Sequence, residues 1–387
     1  MIQFNTMIVL DEKGFIRDLV PLEKYESDLE GAEYYEGIIT PGFVNSHCHL
    51  EFSWALGFVQ LSGGIKDFIR QVGQLNWPDK DIVIQAIKAA DEKMQQEGIV
   101  AVADISNSNI TFGVKEASPL FYHTFIELFA SDPLKSNEVF EKGLQLADEL
   151  KAKIRNNTCS ITPHAPYSVS SALFGKIKNW AEANNGKISL HHQESESENE
   201  LFLYSKGPLM EHIDELHIPN YKFINAGEKP LRAIKQYLPK NNPLMLVHNT
   251  FSDKTDIQFA YQYFEKVYFC FCPNSNVYIE KSLPDISLFE DYTDRLLIGT
   301  DSLASNHTLS ILEEIKALLH GYPYFPIEQI LQWATYNGAC FLGIQDHLGQ
   351  IKKGYKPGLV QLKGYDFKTR RMDKNASLKL ISESEIL

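Results

Sequence analysis

One recurrence constrains this chain more than any other feature. Eight short apolar runs end in polar or chemically capable residues, and amphipathic stretches separate them. Residues 38–45 lead into His47, 99–103 into Asp104, and 159–162 into His164. The run 124–129 follows His123 and holds Glu127. Residues 188–190 lead into His191, 244–247 into His248, 267–271 into Cys272 and Asn274, and 296–299 into Asp301. Helical patterning falls between them, at 82–96, 139–153, 171–184 and 309–320. Such alternation predicts a parallel sheet with crossover helices. Eight units predict a closed TIM barrel, whose chemistry gathers at the C-terminal ends of its strands. A doubly wound open sheet would favour a glycine-rich phosphate turn after its first strand. Here that turn holds His47-Cys48-His49.

The ends differ from the middle. Residues 1–35 read as short strands with turns at Asp11–Gly14 and Glu30–Gly31. Residues 348–387 read similarly, with turns at Lys353–Gly354 and Lys356–Gly358. The expected division is a barrel over 41–344 and one small discontinuous β-sandwich domain from 1–40 and 345–387. A chain of 387 residues, 44% of them hydrophobic, can bury a core of that size.

Charge and cysteine content narrow the setting. A net charge of −13 without a basic cluster disfavours nucleic acid as a partner. No apolar stretch reaches transmembrane length, and the first residues lack a secretory pattern. The five scattered cysteines suit a reducing cytoplasm. Cys270 and Cys272 share a strand face and read as small core residues.

The candidate chemistry sits at the run ends. In an extended segment, His47 and His49 point to the same side and can reach one ion. A lone His-x-His specifies little; its place after Pro41-Gly42 at a run end adds weight. His191 stands at another end, and Glu194, three residues on, can fold back as a proton shuttle. The competing reading makes Glu194, Glu196, Glu198 and Glu200 an acidic helix start. His192 should point elsewhere. His248 closes the sixth run. Asp301 closes the eighth, where it could also cap a helix. Three or more ligands with an open position form the pattern of a catalytic metal site. An ion there would bring the pKa of a bound water towards about 7.

As a set, these residues resemble the amidohydrolase superfamily, in its aminohydrolase branch. That branch holds cytosine and guanine deaminases, methylthioadenosine/S-adenosylhomocysteine deaminases and aminodeoxyfutalosine deaminases. The likeness runs through nearly the whole chain. It is carried by Pro41-Gly42-Phe43-Val44-Asn45-Ser46-His47-Cys48-His49-Leu50, Pro163-His164-Ala165-Pro166-Tyr167-Ser168 and His191-x-x-Glu194. It continues through His248, Cys272-Pro273-Asn274-Ser275-Asn276 and Gly299-Thr300-Asp301-Ser302 with Ser305-Asn306. Ala334-Thr335, Asn337-Gly338-Ala339 and the segment from Gly349 to Gly354 are similar to the family's tail. Pro357-Gly358 departs from it, where relatives have Ala-Asp; that bears on the small domain, not on the site.

The resemblance implies that His47, His49, His191 and Asp301 bind one divalent metal, with zinc first and iron or manganese as alternatives. His248 would lie beside it and polarise the attacking oxygen or the leaving group, with direct ligation of the metal as the alternative. Glu194 would shuttle the proton, and Asp301 would take the second. His164 would meet substrate, with Glu51, Trp54 and Ser302 flanking. Two-metal relatives carry a lysine at the end of the fourth strand, and residues 160–164 hold none, so a single metal is expected. Glu194 favours deamination of a ring amidine, because a neutral amidine carbon is a poor electrophile until its ring nitrogen is protonated. The expected function is hydrolytic deamination of an amino-substituted nitrogen heterocycle, a purine or adenosine-like nucleoside. Metal-activated water attacks and ammonia leaves. The expected enzyme is cytoplasmic, acts on a small molecule, binds neither membrane nor nucleic acid, and is compatible with a homodimer. The alternatives are hydrolysis of a cyclic amide, an imine or a chlorinated ring in the same fold, a barrel that kept its shape and lost catalysis, and a phosphate-using barrel enzyme.

Overall fold

The computed structural model describes residues 5–24, 31–60, 63–154, 158–218 and 227–385. The expected turn at Glu30–Gly31 begins outside them.

The chain opens with a hairpin, β1 (Thr6–Leu10) and β2 (Ile16–Pro21), paired antiparallel. Its turn forms because the Asp11 carboxylate accepts from Lys13 N and Phe15 N. β3 (Ile38–Pro41) follows, then the barrel strands β4 (Phe43–Cys48), β5 (Ile99–Ser106), β6 (Phe121–Leu128) and β7 (Thr158–Pro163). The second half holds β8 (Ile188–His192), β9 (Leu244–His248), β10 (Val267–Phe271) and β11 (Leu296–Ile298). The tail supplies β12 (Pro357–Asp366) and β13 (Arg371–Ser384).

β4 to β7 pair in parallel in sequence order, and so do β8 to β11. The two half-sheets meet at both seams. At one, His191 N donates to His164 O at 2.8 Å, and Thr162 Oγ1 donates to Ser189 O. At the other, Thr300 N and Asp301 N both donate to His47 O, at 2.9 and 3.0 Å. The result is the eight-stranded barrel. Its strands are largely buried on both faces, since helices cover the outside and layered side chains fill the inside; β4 and β5 are buried at every position.

The run 38–45 does not form one strand. It breaks at Gly42, so that β3 joins β12 and β13 in a three-stranded antiparallel sheet while β4 enters the barrel. Gly42 N bonds to Pro357 O and Gly358 O, which turns the chain between sheets. Elsewhere the boundaries move by a few residues: the third strand starts at Phe121, and helices cover Lys80–Gln96, Ser136–Lys153, Ser171–Asn184 and Ile311–Gly321. No described helix is long and apolar enough to cross a membrane. The five cysteines are free, and Cys270 and Cys272 are buried.

Candidate active site

His47 and His49 leave the end of β4 on one side, as strand alternation requires. A close approach at the seam then brings in Asp301: a Cβ added at Gly299 would lie 2.7 Å from His47 Cβ and 2.8 Å from His47 N. Only glycine lets β11 come that near. Asp301 itself adopts φ +58°, which turns its carboxylate inward. From β8, His191 donates Nδ1–H to His164 O at 3.1 Å, which leaves the Nε2 lone pair for the centre.

Four donor atoms converge. His49 Nε2 lies 3.2 Å from His47 Nε2, 3.3 Å from His191 Nε2 and 3.4 Å from Asp301 Oδ1. His47 Nε2 lies 3.8 Å from the same oxygen. An imidazole nitrogen carries at most one proton, so His49 Nε2 cannot serve three partners as a donor. Facing lone pairs repel unless a cation lies between them. A tetrahedral ion with bonds of about 2.0–2.1 Å spaces its ligands by about 3.3–3.4 Å. The observed spacings bracket that value, so the residues fit a divalent ion of the zinc type.

Burial keeps these ligands in the right protonation state. It pushes His47 well below its ordinary value, lowers His191, and takes His49 down to about 3. All three imidazoles are therefore neutral and offer lone pairs. Burial opposes ionisation of Asp301, yet the imidazoles of His49 and His248 and the hydroxyls of Ser275 and Ser305 hold its carboxyl below its ordinary value.

A second pair adjoins the first cluster. His248 ends β9, and Asn276 Nδ2 donates to its Nδ1 at 3.1 Å. With the amide in that orientation Nε2 carries the proton, and it faces Glu194 Oε1 at 3.6 Å. Glu194 Oε, His248 and Asp301 lie within 4.8 Å of one another. Burial, reinforced by the Asp301 charge, raises the Glu194 carboxyl well above the carboxylate range. A carboxyl whose proton is held this way is suited to general acid–base work. His192 points away and meets Asn249 Oδ1 at 3.1 Å. The acidic run does start a helix, but at Glu196, which leaves Glu194 in the turn before it.

The flanking candidates are less central. His164 lies tilted against His191 at 4.6 Å between centroids, and its Nδ1 engages Ser168 Oγ at 2.7 Å. Glu51 accepts from Asn107 N at 3.2 Å and Ser108 Oγ at 3.1 Å, and burial pushes its carboxyl up to about 7. Trp54 is buried against Trp77 and Phe58, at 5.2 and 5.7 Å. The Ser302 hydroxyl meets Ser305 Oγ at 3.1 Å. Neither Trp54 nor Ser302 has a described side-chain contact with the four donors.

Several supports were not assigned from sequence. Ser275 Oγ and Ser305 Oγ donate to Asp301 Oδ2 at 2.6 and 2.7 Å, which frees Oδ1 for the centre. Asp301 thus caps no helix. Both serines lie inside motifs that could have pointed to them. Beneath β4, Asp104 accepts from Leu50 N at 2.7 Å and pairs with Lys115 Nζ at 2.5 Å, both wholly buried. Lys115 gave no sequence signal, because a lysine on a short helix reads as a solvated one.

Comparison with known proteins gives the family and the fold. The model of the amidohydrolase family matches residues 38–385. An adenosine deaminase of Helicobacter pylori is 25% identical over 91% of this chain and 87% of its own length. The crystal structure of Helicobacter pylori aminofutalosine deaminase with methylthio-coformycin superimposes with a TM-score of 0.77 at 23% identity, covering 95% of this chain and 89% of that one. An adenosine deaminase from Xanthomonas campestris with bound zinc gives 0.72 at 18% identity, covering 99% and 88%. With a family match running from β3 through β13, this chain belongs to the amidohydrolase family.

Proposed function

We propose that this protein is a metal-dependent hydrolytic deaminase of a purine or adenosine-like nucleoside. One observation carries the proposal: the buried carboxyl of Glu194 stands 3.6 Å from His248 Nε2 beside a four-donor cluster that fits one divalent ion. The deaminase relatives support the substrate class.

His47, His49, His191 and Asp301 would hold the ion. When bound it supplies Lewis acidity and lowers the pKa of water at the site. Glu194 moves a proton at its Oε1 onto the ring nitrogen, which makes the amino-bearing carbon electrophilic. His248 directs Nε2–H at the oxygen where negative charge develops, a contact that strengthens towards the transition state. Asp301 accepts the remaining hydroxyl proton and passes it to the amino group, which leaves as ammonia. His164, Glu51, Trp54 and Ser302 form the substrate side. Residues 41–344 are the catalytic unit, and 1–40 with 345–387 its β appendage. The proposed setting is a cytoplasmic homodimer that binds no nucleic acid.

The test is ammonia release by zinc-loaded protein from cytosine, guanine, adenosine and 5′-substituted adenosines. Turnover of an adenosine-type substrate is expected. Bound metal with no ammonia from any of them would overturn deamination in favour of cyclic-amide, imine or chlorinated-ring hydrolysis.

A further inference from the structure

We infer that Gln193 is a positioning residue that holds Glu194 against His248, as the centre of a hydrogen-bonded clamp between the turns after β8 and β9. The inference rests on the roles proposed above for Glu194 and His248.

Those two turns are strained. Gln193 has φ +46°, His248 φ +74° and Asn249 φ +53°. Non-glycine residues in this region cost about 1–3 kcal/mol each and persist only where their surroundings over-determine them. Each strained residue adjoins or is one of the proton-handling pair. The strain aims the side chains: at Gln193 the chain turns back, which brings Glu194 inward.

The surroundings that impose it are specific. Asn249 N donates to His192 O and Phe251 N to Gln193 O, both at 3.0 Å. His192 Nδ1 meets Asn249 Oδ1 at 3.1 Å. The Gln193 side chain is fully buried and completes the lock. Its Nε2 donates to Asn199 Oδ1 at 2.7 Å and to Asp256 Oδ2 at 3.0 Å, and its Oε1 accepts from Ser252 Oγ at 2.6 Å. Asp256 is anchored in turn by Lys229 Nζ at 2.8 Å. Gln193 thus joins its own turn to the helix Glu196–Tyr204, the Ser252 loop and the helix Lys254–Tyr263.

The residue type follows from this. Two donors on one atom and an acceptor beside it describe a primary amide. Glutamate would set a carboxylate against Asp256, and methionine would fill the space without a hydrogen bond. Among the described residues, the Gln193 side chain forms no hydrogen bond with the four donors proposed to hold the metal. It acts through Glu194 and His248 alone, so its loss should slow proton transfer and spare metal binding.

The experiment compares wild type, Gln193→Met, Ser252→Ala and Glu194→Gln as zinc-loaded full-length proteins. Metal content, melting temperature, kcat, KM and the solvent deuterium isotope effect are measured for each. Gln193→Met should lose about ten- to a hundredfold in kcat, as misplacement by about an ångström does. KM should stay within about twofold, metal should stay equimolar, and the isotope effect should rise. Ser252→Ala, which removes one bond at the half-buried end, should lose a few-fold and carries the test if Gln193→Met does not fold. A crystal structure of either variant should show Glu194 Oε1 displaced from its 3.6 Å approach to His248. Unchanged kcat with Glu194 in place, or a loss that follows metal content or melting temperature, overturns the inference. If Glu194→Gln turns over like wild type, the proposed role of Glu194 falls instead.

Discussion

The two halves of the site are held by different physics. The donors proposed to hold the metal, His47, His49 and His191, project from strand ends, and strand alternation with one close glycine contact aligns them. The pair proposed to handle protons, Glu194 and His248, sits at turns with positive φ that hydrogen bonds tie together. The first arrangement follows from the barrel itself. The second is an addition to it, and it can be lost while the barrel and its metal remain. Asp301 belongs to both, since one oxygen faces the imidazoles and the other is tied down by two serines.

Removing the metal should have the largest effect. Dialysis against a chelator should abolish turnover while leaving Glu194 and His248 in place, and zinc should restore it; persistent activity without metal would break the distinction. Next is His248→Ala. Loss of a donor to the developing oxygen should lower kcat by about 10²–10³-fold with metal content unchanged. Steady-state kinetics beside metal analysis checks this, and metal loss in the variant would move His248 into the first group.

Lys115→Met probes what lies under the metal-facing group. It strands the wholly buried Asp104, which also holds Leu50 N beside His49. Breaking one partner of a buried pair costs about 3–5 kcal/mol. Chemical denaturation should show that loss, and Lys115→Met with Asp104→Leu should recover part of it.

The smallest effect is a pH dependence. Burial pushes the Glu314 carboxyl up to about 8 against an ordinary 4.5. Between those values the folded state keeps a proton that the unfolded state has lost. Stability therefore falls as pH rises from about 4.5 to about 8 and levels off above. Glu314 accepts from Asn274 N at Oε2 and from Asn306 Nδ2 at Oε1, at 2.9 and 2.7 Å, and a glutamine can keep one of these two contacts. Glu314→Gln should flatten the melting-temperature profile across that range; an unchanged slope would assign it to other groups.

The same divide governs what could be read from sequence. His47 and His49 were legible because alternation is local, and His191 and Asp301 because each ends an apolar run. The barrel was legible for the same reason. The break at Gly42 was not, since the run 38–45 is apolar throughout and the sheet change depends on Pro357, far along the chain. Gln193 was not legible because its partners Asn199, Ser252 and Asp256 come from separate elements. Ser275 and Ser305 stood inside quoted motifs, but only folding shows that both reach one oxygen of Asp301.

The most direct test is a comparison of wild type with Glu194→Gln, each carrying one equivalent of zinc, on an adenosine-type substrate. The account predicts ammonia from the wild type and a fall of about 10²–10⁴-fold in the variant, with zinc still bound. Equal rates from the two proteins would contradict it.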